Sequence, residues 1–474
     1  MQGRILDKSQ HTDYLSLDKL IPKKHYLRKV NECIDFSFIE EITESCYCPN
    51  NGGPSVAPEL YFRMMLIGYI FSIKSTRQLV QDIHYNICYR WFCGLTLNDS
   101  IPHHASLSRI KKSYTIEVFE KFFQSIVEQC QQAGLLQSQS VMTDSTLIQA
   151  NASLNSMKPL NKEVPKNIKP SKDGISENKW HISNKTHRSK TDPDATLAFK
   201  SGTLRSLKYK AHVCCDSKSR VISAIKITTG AVHDSQPYLD LIVQLKNKLM
   251  LREVIADRAY GSGEVISSPN DMGIQEFIPL FTTRSGKTPD KEIHGINYDE
   301  IKKTYICFAN IEFKPGKINF EGYISYRTHT KDCRECSLKA ICQVPQMKNR
   351  DIRVMARHIH ADLFQKVKIK METEEFKEKF RECLWKIEGV MNELKNYHCL
   401  SKAKYRGLDN MQIQAYIDAV VINIKRLVNF LLFSVISHCM IKNSASFTTG
   451  RYLIYLKIIL CFFYFQIKLI CNID

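Results

Sequence analysis

Three acidic residues frame the chemistry that this chain could carry. Asp257 ends a short apolar run, Val254-Ile255-Ala256, and is followed by Arg258-Ala259-Tyr260-Gly261. Asp144 lies in the middle of another, Ser140-Val141-Met142-Thr143-Asp144-Ser145-Thr146-Leu147-Ile148, and Glu388 sits on a charged amphipathic segment running to Lys395. The runs predict strands for the two aspartates, and the apolar spacing predicts a helix for the glutamate. An isolated acid on a strand is more often a structural hydrogen-bonding group. Acids gathered from separate elements differ, because clustered carboxylates that stay ionised call for a divalent cation with oxygen ligands. Glu382 and Glu393 compete with Glu388 for that role. Lys395 follows Glu388 by seven residues and so shares its face on a regular helix.

A second constellation is Cys307, Cys333-x-x-Cys336 and Cys342, of which only the tight pair has convincing zinc spacing. The two readings are a structural Zn²⁺, which would stabilise a polar insertion, and buried free thiols. His212 and His233 read as structural histidines, although His233-Asp234 falls near the presumed metal end of the sheet.

The chain of 474 residues carries 67 Lys+Arg against 48 Asp+Glu, a formal +19, with a sequence pI near 9.1. Such a balance points to polyanionic partners, nucleic acid first. Its 43% hydrophobic content fills real cores, for roughly two to four domains by length. Seventeen cysteines with no charged-then-apolar leader across Met1 to Lys24 fit a reducing cytosol rather than a secreted scaffold. Residues 452–471 are apolar but interrupted by Lys457, Gln466 and Lys468, short of the run of about 18 that a membrane span requires. No membrane partner is expected.

The elements that must position these residues begin with an all-helical N-terminal domain, 1–137, broken at Asn50-Asn51-Gly52-Gly53-Pro54. Its segment from His104 to Lys112 carries Arg109, Lys111 and Lys112. That pattern serves either as the recognition helix of a helix-turn-helix or as the solvated face of a bundle. From 138 to 283 strands alternate with helices after a hairpin, which predicts a mixed α/β sheet. Within it, 151–206 reads as a mobile basic insertion with Lys158, Lys162, Lys166, Lys169, Lys172 and Lys179, able to hold a phosphate backbone or simply a solvated linker. Residues 284–350 form the cysteine-containing insertion, 351–430 the closing helices, and 431–474 the apolar tail.

Taken in series, several stretches resemble the DDE transposases of bacterial insertion sequences, in the branch with a helical N-terminal domain and a cysteine-containing insertion. They are Thr143-Asp144-Ser145-Thr146, Tyr209-Lys210-Ala211-His212-Val213, His233-Asp234-Ser235, Ala256-Asp257-Arg258-Ala259-Tyr260-Gly261, Ile387-Glu388-Gly389-Val390 to Lys395, Tyr405-Arg406-Gly407-Leu408 and Asn423-Ile424-Lys425-Arg426. The resemblance implies an RNase H-like fold with Asp144, Asp257 and Glu388 as ligands of two Mg²⁺ or Mn²⁺ ions. It implies water attack that frees a transposon 3′-hydroxyl, then attack of that hydroxyl on target DNA. It makes terminal inverted repeats and target DNA the partners, and a homodimer the DNA-bound form in a bacterial, nucleoid-associated cytoplasmic setting. Lys395 would contact phosphate near the cut, and Arg109, Lys111, Lys112, Lys210 and Arg406 are the further expected DNA contacts. The rival is a catalytically inactive DNA-binding protein of the same fold that represses its own element. This chain departs from the family at Leu384, where an arginine is common, and at Cys399, where a glycine is.

Overall fold

In the computed structural model the sheet is built from β1 (Ser140–Gln149), β2 (Ser206–Asp216), β3 (Ile222–Thr229), β4 (Glu253–Ala256) and β5 (Gln275–Phe277). The structure describes residues 16–48, 55–136, 139–160, 182–199, 204–280, 296–319, 322–347 and 350–444. The break at Asn50 to Pro54, the lysines from Lys162 to Lys179 and the tail beyond 444 lie outside the described residues. Asp216 makes the β2–β3 hairpin: its carboxylate accepts the backbone N–H groups of Lys218 and Ser219, and Arg220 takes a positive φ of 60°. Strands β1, β2 and β3 form an antiparallel meander, whereas β4 runs parallel to β1 and β5 parallel to β4. Parallel pairing requires crossovers, supplied by α8 (Ser235–Lys248) before β4 and α9 (Gly263–Asp271) before β5. The order β3-β2-β1-β4-β5 with these directions is that of an RNase H-like domain.

Alternation along the strands sorts side chains onto two faces. Val141, Cys214, Val254 and Ala256 pack with Tyr238, Leu241, Ile242, Val265 and Ile266 of α8 and α9. Met142, Ile148, Ala211, Val213 and Ile255 join the other core. That second face is covered by α11 (Glu374–Asn392) and α12 (Leu408–Ser444), with α10 (Ala361–Glu372) leading into them.

The N-terminal helices are α1 (Tyr26–Cys33), α2 (Phe38–Thr43), α3 (Pro58–Ile70), α4 (Thr76–Tyr85), α5 (Ile87–Phe92), α6 (His104–Ser113) and α7 (Ile116–Gln132). Helix α3 starts on Pro58, which lacks an N–H that the first turn would leave unbonded. It buries Tyr61, Phe62 and every residue from Met64 to Ile70, and Phe62 stacks on Phe122 of α7 at 4.4 Å between ring centroids. These helices and the sheet share one continuous core, with α12 packed on α1, α3, α7 and β3.

Helix α12 holds the free edge of β3 through two buried amides. Gln412 accepts from Ile227 N–H at 2.6 Å and donates to Ile225 O at 2.9 Å, while Asn423 accepts from Ile222 N–H at 2.8 Å and donates to Ile222 O at 2.9 Å. The geometry matches: eleven helical residues rise about 16 Å and five strand residues span about 16 Å. An edge strand that would otherwise leave buried backbone groups unbonded is thereby satisfied.

Two expectations change. Residues 151–160 and 182–199, expected as part of a mobile linker, are ordered: Met157–Pro159 pairs with His187–Ser189, and Thr196–Ala198 with β2. Buried Asp192 accepts from Tyr209 Oη at 2.6 Å and Gly407 N–H at 3.2 Å, and Asp194 accepts from Leu408 N–H at 3.1 Å. An acid there satisfies a free helix N-terminal N–H and suits the dipole. The cysteine-containing insertion likewise has its own five-stranded antiparallel sheet, β6 (Ile296–Asp299), β7 (Thr304–Cys307), β8 (Glu312–Ile318), β9 (Tyr323–Arg327) and β10 (Val354–His358), the last of them a strand beyond the expected boundary at 350, where helices were expected. Tyr305, Phe313, Tyr326 and Val344 are its core. Among the described residues no helix is long and apolar enough to cross a membrane.

Candidate active site

Asp144 and Asp257 are brought together by the register of the parallel pair. Thr143 is opposite Ala256, so the next residue on each strand is an acid. Alternation puts Asp144 on the face that α11 covers. Asp144 accepts its neighbour Ser145 N–H at 2.6 Å. Asp257 leaves the sheet and accepts Ala259 N–H at 2.9 Å, capping the turn Arg258–Tyr260. Glu388 comes from α11, whose Cys383, Ile387, Val390 and Met391 are buried against the sheet while Glu388 itself is exposed.

The electrostatics place these acids in one field. Burial pushes the Asp144 carboxyl up to about 7, against the Ser145 N–H, and the charges of Asp257, Asp234 and Glu388 each push it further in that direction. Asp257 is raised as well, by burial first and then, against the Ala259 N–H, by Asp234. The competing glutamates are otherwise engaged: Glu393 pairs with Arg426 at 2.8 Å, and Glu382 with Lys386 at 3.3 Å. Oxygen donors that raise one another's proton affinity suit a hard divalent cation. Among the described residues, however, no three His, Cys, Asp or Glu side chains stand close enough to make a ready metal cage.

The expected DNA contacts fall into different environments. Arg109 and Lys112 are exposed on α6. Lys111 on the same helix is half-buried, its ammonium 3.3 Å from the centroid of the Tyr405 ring, and burial followed by the charge of Lys112 lowers it to about 8. Arg406 is exposed and donates to Asn151 O at 3.1 Å. Lys210 is turned to Asp234 at 3.0 Å and Val232 O at 2.7 Å. A π-helical turn over Glu393–Tyr397 follows α11, so the seven residues from Glu388 to Lys395 do not wind as a regular α-helix throughout. His212 is buried and pairs with Thr228 Oγ1 at 2.9 Å, and exposed His233 pairs with Ser235 Oγ at 2.8 Å.

The four insertion cysteines are not gathered as ligands. Cys333 is buried, with its thiol 3.0 Å from Thr328 Oγ1, and Cys307 and Cys342 pack against the small tyrosine core. The residue that sequence reasoning left without a role is Asp234. Its signal was the His233-Asp234-Ser235 stretch, which offers no spacing rule linking it to Asp144.

Two family models match parts of the chain. A family described as a transposase domain (DUF772) matches residues 15–113, and one described as a transposase DDE domain matches residues 306–428. The second match includes Glu388; Asp144 and Asp257 lie between the two. No curated protein matches the chain. Among solved structures, a piggyBac transposase synaptic complex with hairpin DNA is 11% identical, with 92% of this chain and 83% of that chain covered and a TM-score of 0.33. A Mos1 transposase paired-end complex with left transposon end is 9% identical over 50% of this chain and 65% of that one, with a TM-score of 0.16. With a transposase domain matched in its N-terminal helices and a transposase DDE domain matched in its C-terminal part, the chain is similar in both parts to transposases, consistent with a DDE transposase of an insertion sequence.

Proposed function

We propose that Asp144, Asp257 and Glu388 are the metal-holding acids of this transposase, and that the chain nicks transposon ends and joins them to target DNA. The observation that carries this reading is the register that sets Asp144 beside Asp257 at the end of a parallel strand pair, with the charge of Glu388 acting on Asp144 from α11. Two Mg²⁺ or Mn²⁺ ions held there would supply an activated attacking oxygen and charge stabilisation of the leaving one. The protein's part is to orient: the main-chain N–H groups of Ser145 and Ala259 fix the two aspartates, and the buried side of α11 fixes the position of Glu388. Exposed Arg109, Lys112 and Arg406 offer cations for phosphate contacts. Terminal inverted repeats and target DNA are the proposed partners, a homodimer the DNA-bound form, and the nucleoid the cytoplasmic setting. Zinc at the insertion cysteines is secondary, since the insertion has an apolar core of its own.

The test is cleavage of labelled end DNA with Mn²⁺. Asp144→Ala and Asp257→Asn should abolish nicking while binding of the ends persists. A wild-type chain that binds ends and never nicks them defeats the reading.

A further inference from the structure

Asp234 occupies the N-terminal boundary of α8, where an aspartate ordinarily caps its own helix, yet its side chain makes no cap hydrogen bond. It reaches across to the sheet instead. Asp234 Oδ1 accepts from Ser145 Oγ at 2.7 Å and pairs with Lys210 Nζ at 3.0 Å, and His212 Nδ1 lies 3.8 Å away. All three partners belong to one sheet face: Ser145 is opposite His212 in the β1–β2 register, and Lys210 is two residues from His212 on the same strand. Asp144, one residue before Ser145, lies on the other face. Asp234 therefore holds β1 from behind, at the residue next to the proposed metal-holding acid.

We propose that Asp234 is a positioning residue of the active site. It pins Ser145, whose backbone N–H holds the Asp144 carboxylate, and Lys210, paired with it at 3.0 Å, offsets part of the negative charge that Asp234 adds behind the front face. Lys210 is thus part of the scaffold rather than a phosphate contact. A free cap would cost α8 little to forgo, because the same carboxylate then satisfies a hydroxyl and an ammonium that are half-buried or less accessible still. The inference rests on the reading of Asp144, Asp257 and Glu388 as the metal-holding set.

The experiment uses the full chain with Mn²⁺ as probe. Mn²⁺ binding is followed by electron paramagnetic resonance without DNA, and single-turnover nicking is followed on bound end DNA. Loss of a group that orients a metal ligand lowers metal affinity or activity by about 10- to 100-fold. Ser145→Ala and Asp234→Asn should raise the Mn²⁺ midpoint and slow nicking within that range, with end-DNA affinity unchanged, and Ser145→Thr should restore both. Lys210→Met, which keeps the stem and removes the charge, should shift the Mn²⁺ midpoint in a chain with wild-type circular dichroism. Wild-type midpoint and nicking rate in both Ser145→Ala and folded Asp234→Asn would overturn the proposal. So would loss of a whole bound ion in Asp234→Asn, which would make Asp234 a ligand. If the wild-type chain neither binds Mn²⁺ nor nicks DNA, the underlying metal reading fails instead.

Discussion

Replacing Asn423 with alanine tests whether the long helix α12 holds the catalytic sheet through its amides. Asn423 and Ile222 are both fully buried, and the Asn423 side chain satisfies both the N–H and the C=O of Ile222. Alanine leaves those two backbone groups in the core without partners, at about 1–3 kcal/mol each. The expected loss is therefore about 2–6 kcal/mol, before any relaxation that admits water. Each 1.4 kcal/mol is a factor of about ten in local opening, so the Ile222 amide should exchange with solvent at least about 30-fold faster. The assay is hydrogen exchange with mass spectrometry on the peptide spanning β3, alongside denaturant unfolding. Asn423→Asp separates the two bonds, because it keeps an acceptor for Ile222 N–H and loses the donor to Ile222 O. If Asn423→Ala leaves β3 protection and the unfolding midpoint at wild-type values, the edge is held by apolar packing alone and not by the amides of α12.

The third acid can be assigned by substitution: Glu388→Gln should reduce Mn²⁺-dependent nicking by more than about 100-fold, whereas Glu382→Gln should leave it near wild type. Glu393→Gln should instead lower the unfolding midpoint, because Arg426 loses its 2.8 Å partner inside the core. His398 sets an acid limit to stability. Burial first, and then the charge of Lys425, lower it to about 3, with Tyr69 acting in the opposite direction and Arg426 and Lys404 adding to the lowering. A folded-state value below the unfolded 6.5 gives stability that is fully present above pH 6.5 and lost as pH falls toward 3. Between pH 6.5 and 5 the loss is about 2 kcal/mol, so the difference between urea midpoints at pH 7 and pH 5 should shrink in His398→Gln. On α6, Arg109→Ala and Lys112→Ala should each weaken DNA binding and reduce the magnitude of the salt slope by about one. Lys111→Ala should leave the slope unchanged and lower the unfolding midpoint, read by titration at several salt concentrations and by denaturant.

Much of the site could be read from the residues because strands and motifs are local. The runs around Asp144 and Asp257 carried both the strand prediction and the acids, and the hairpin ahead of the strand–helix alternation is β2–β3. What stayed hidden depends on contacts distant in sequence. Nothing near Asp192 indicates that its carboxylate meets Gly407 N–H, 215 residues away, so a segment rich in lysine and serine read as linker. The same holds for Lys210: its positive charge is visible, while its Asp234 partner 24 residues on is visible only in three dimensions. The π turn at Glu393–Tyr397 also stayed hidden, for a local reason: it has no composition signature, and it changes the helical register between Glu388 and Lys395.

The position of α12 bears on how DNA binding and catalysis are coupled. The helix buries residues on all sides from Met411 to Val428, which an amphipathic surface helix would not do. One side meets the N-terminal helices and another meets β3, so neither neighbour has a complete core without it. Its start is fixed from two directions: Asp192 and Asp194 hold Gly407 and Leu408, and Lys111 of α6 sits over Tyr405 two residues upstream of Gly407. Packed interiors resist gradual deformation, so a displacement of α6 would meet resistance at Tyr405, beside the start of the helix whose amides hold β3. The basic helix and the three acids proposed to hold metal thus stand on one body, so DNA bound to α6 would be constrained in where its backbone could meet Asp144, Asp257 and Glu388.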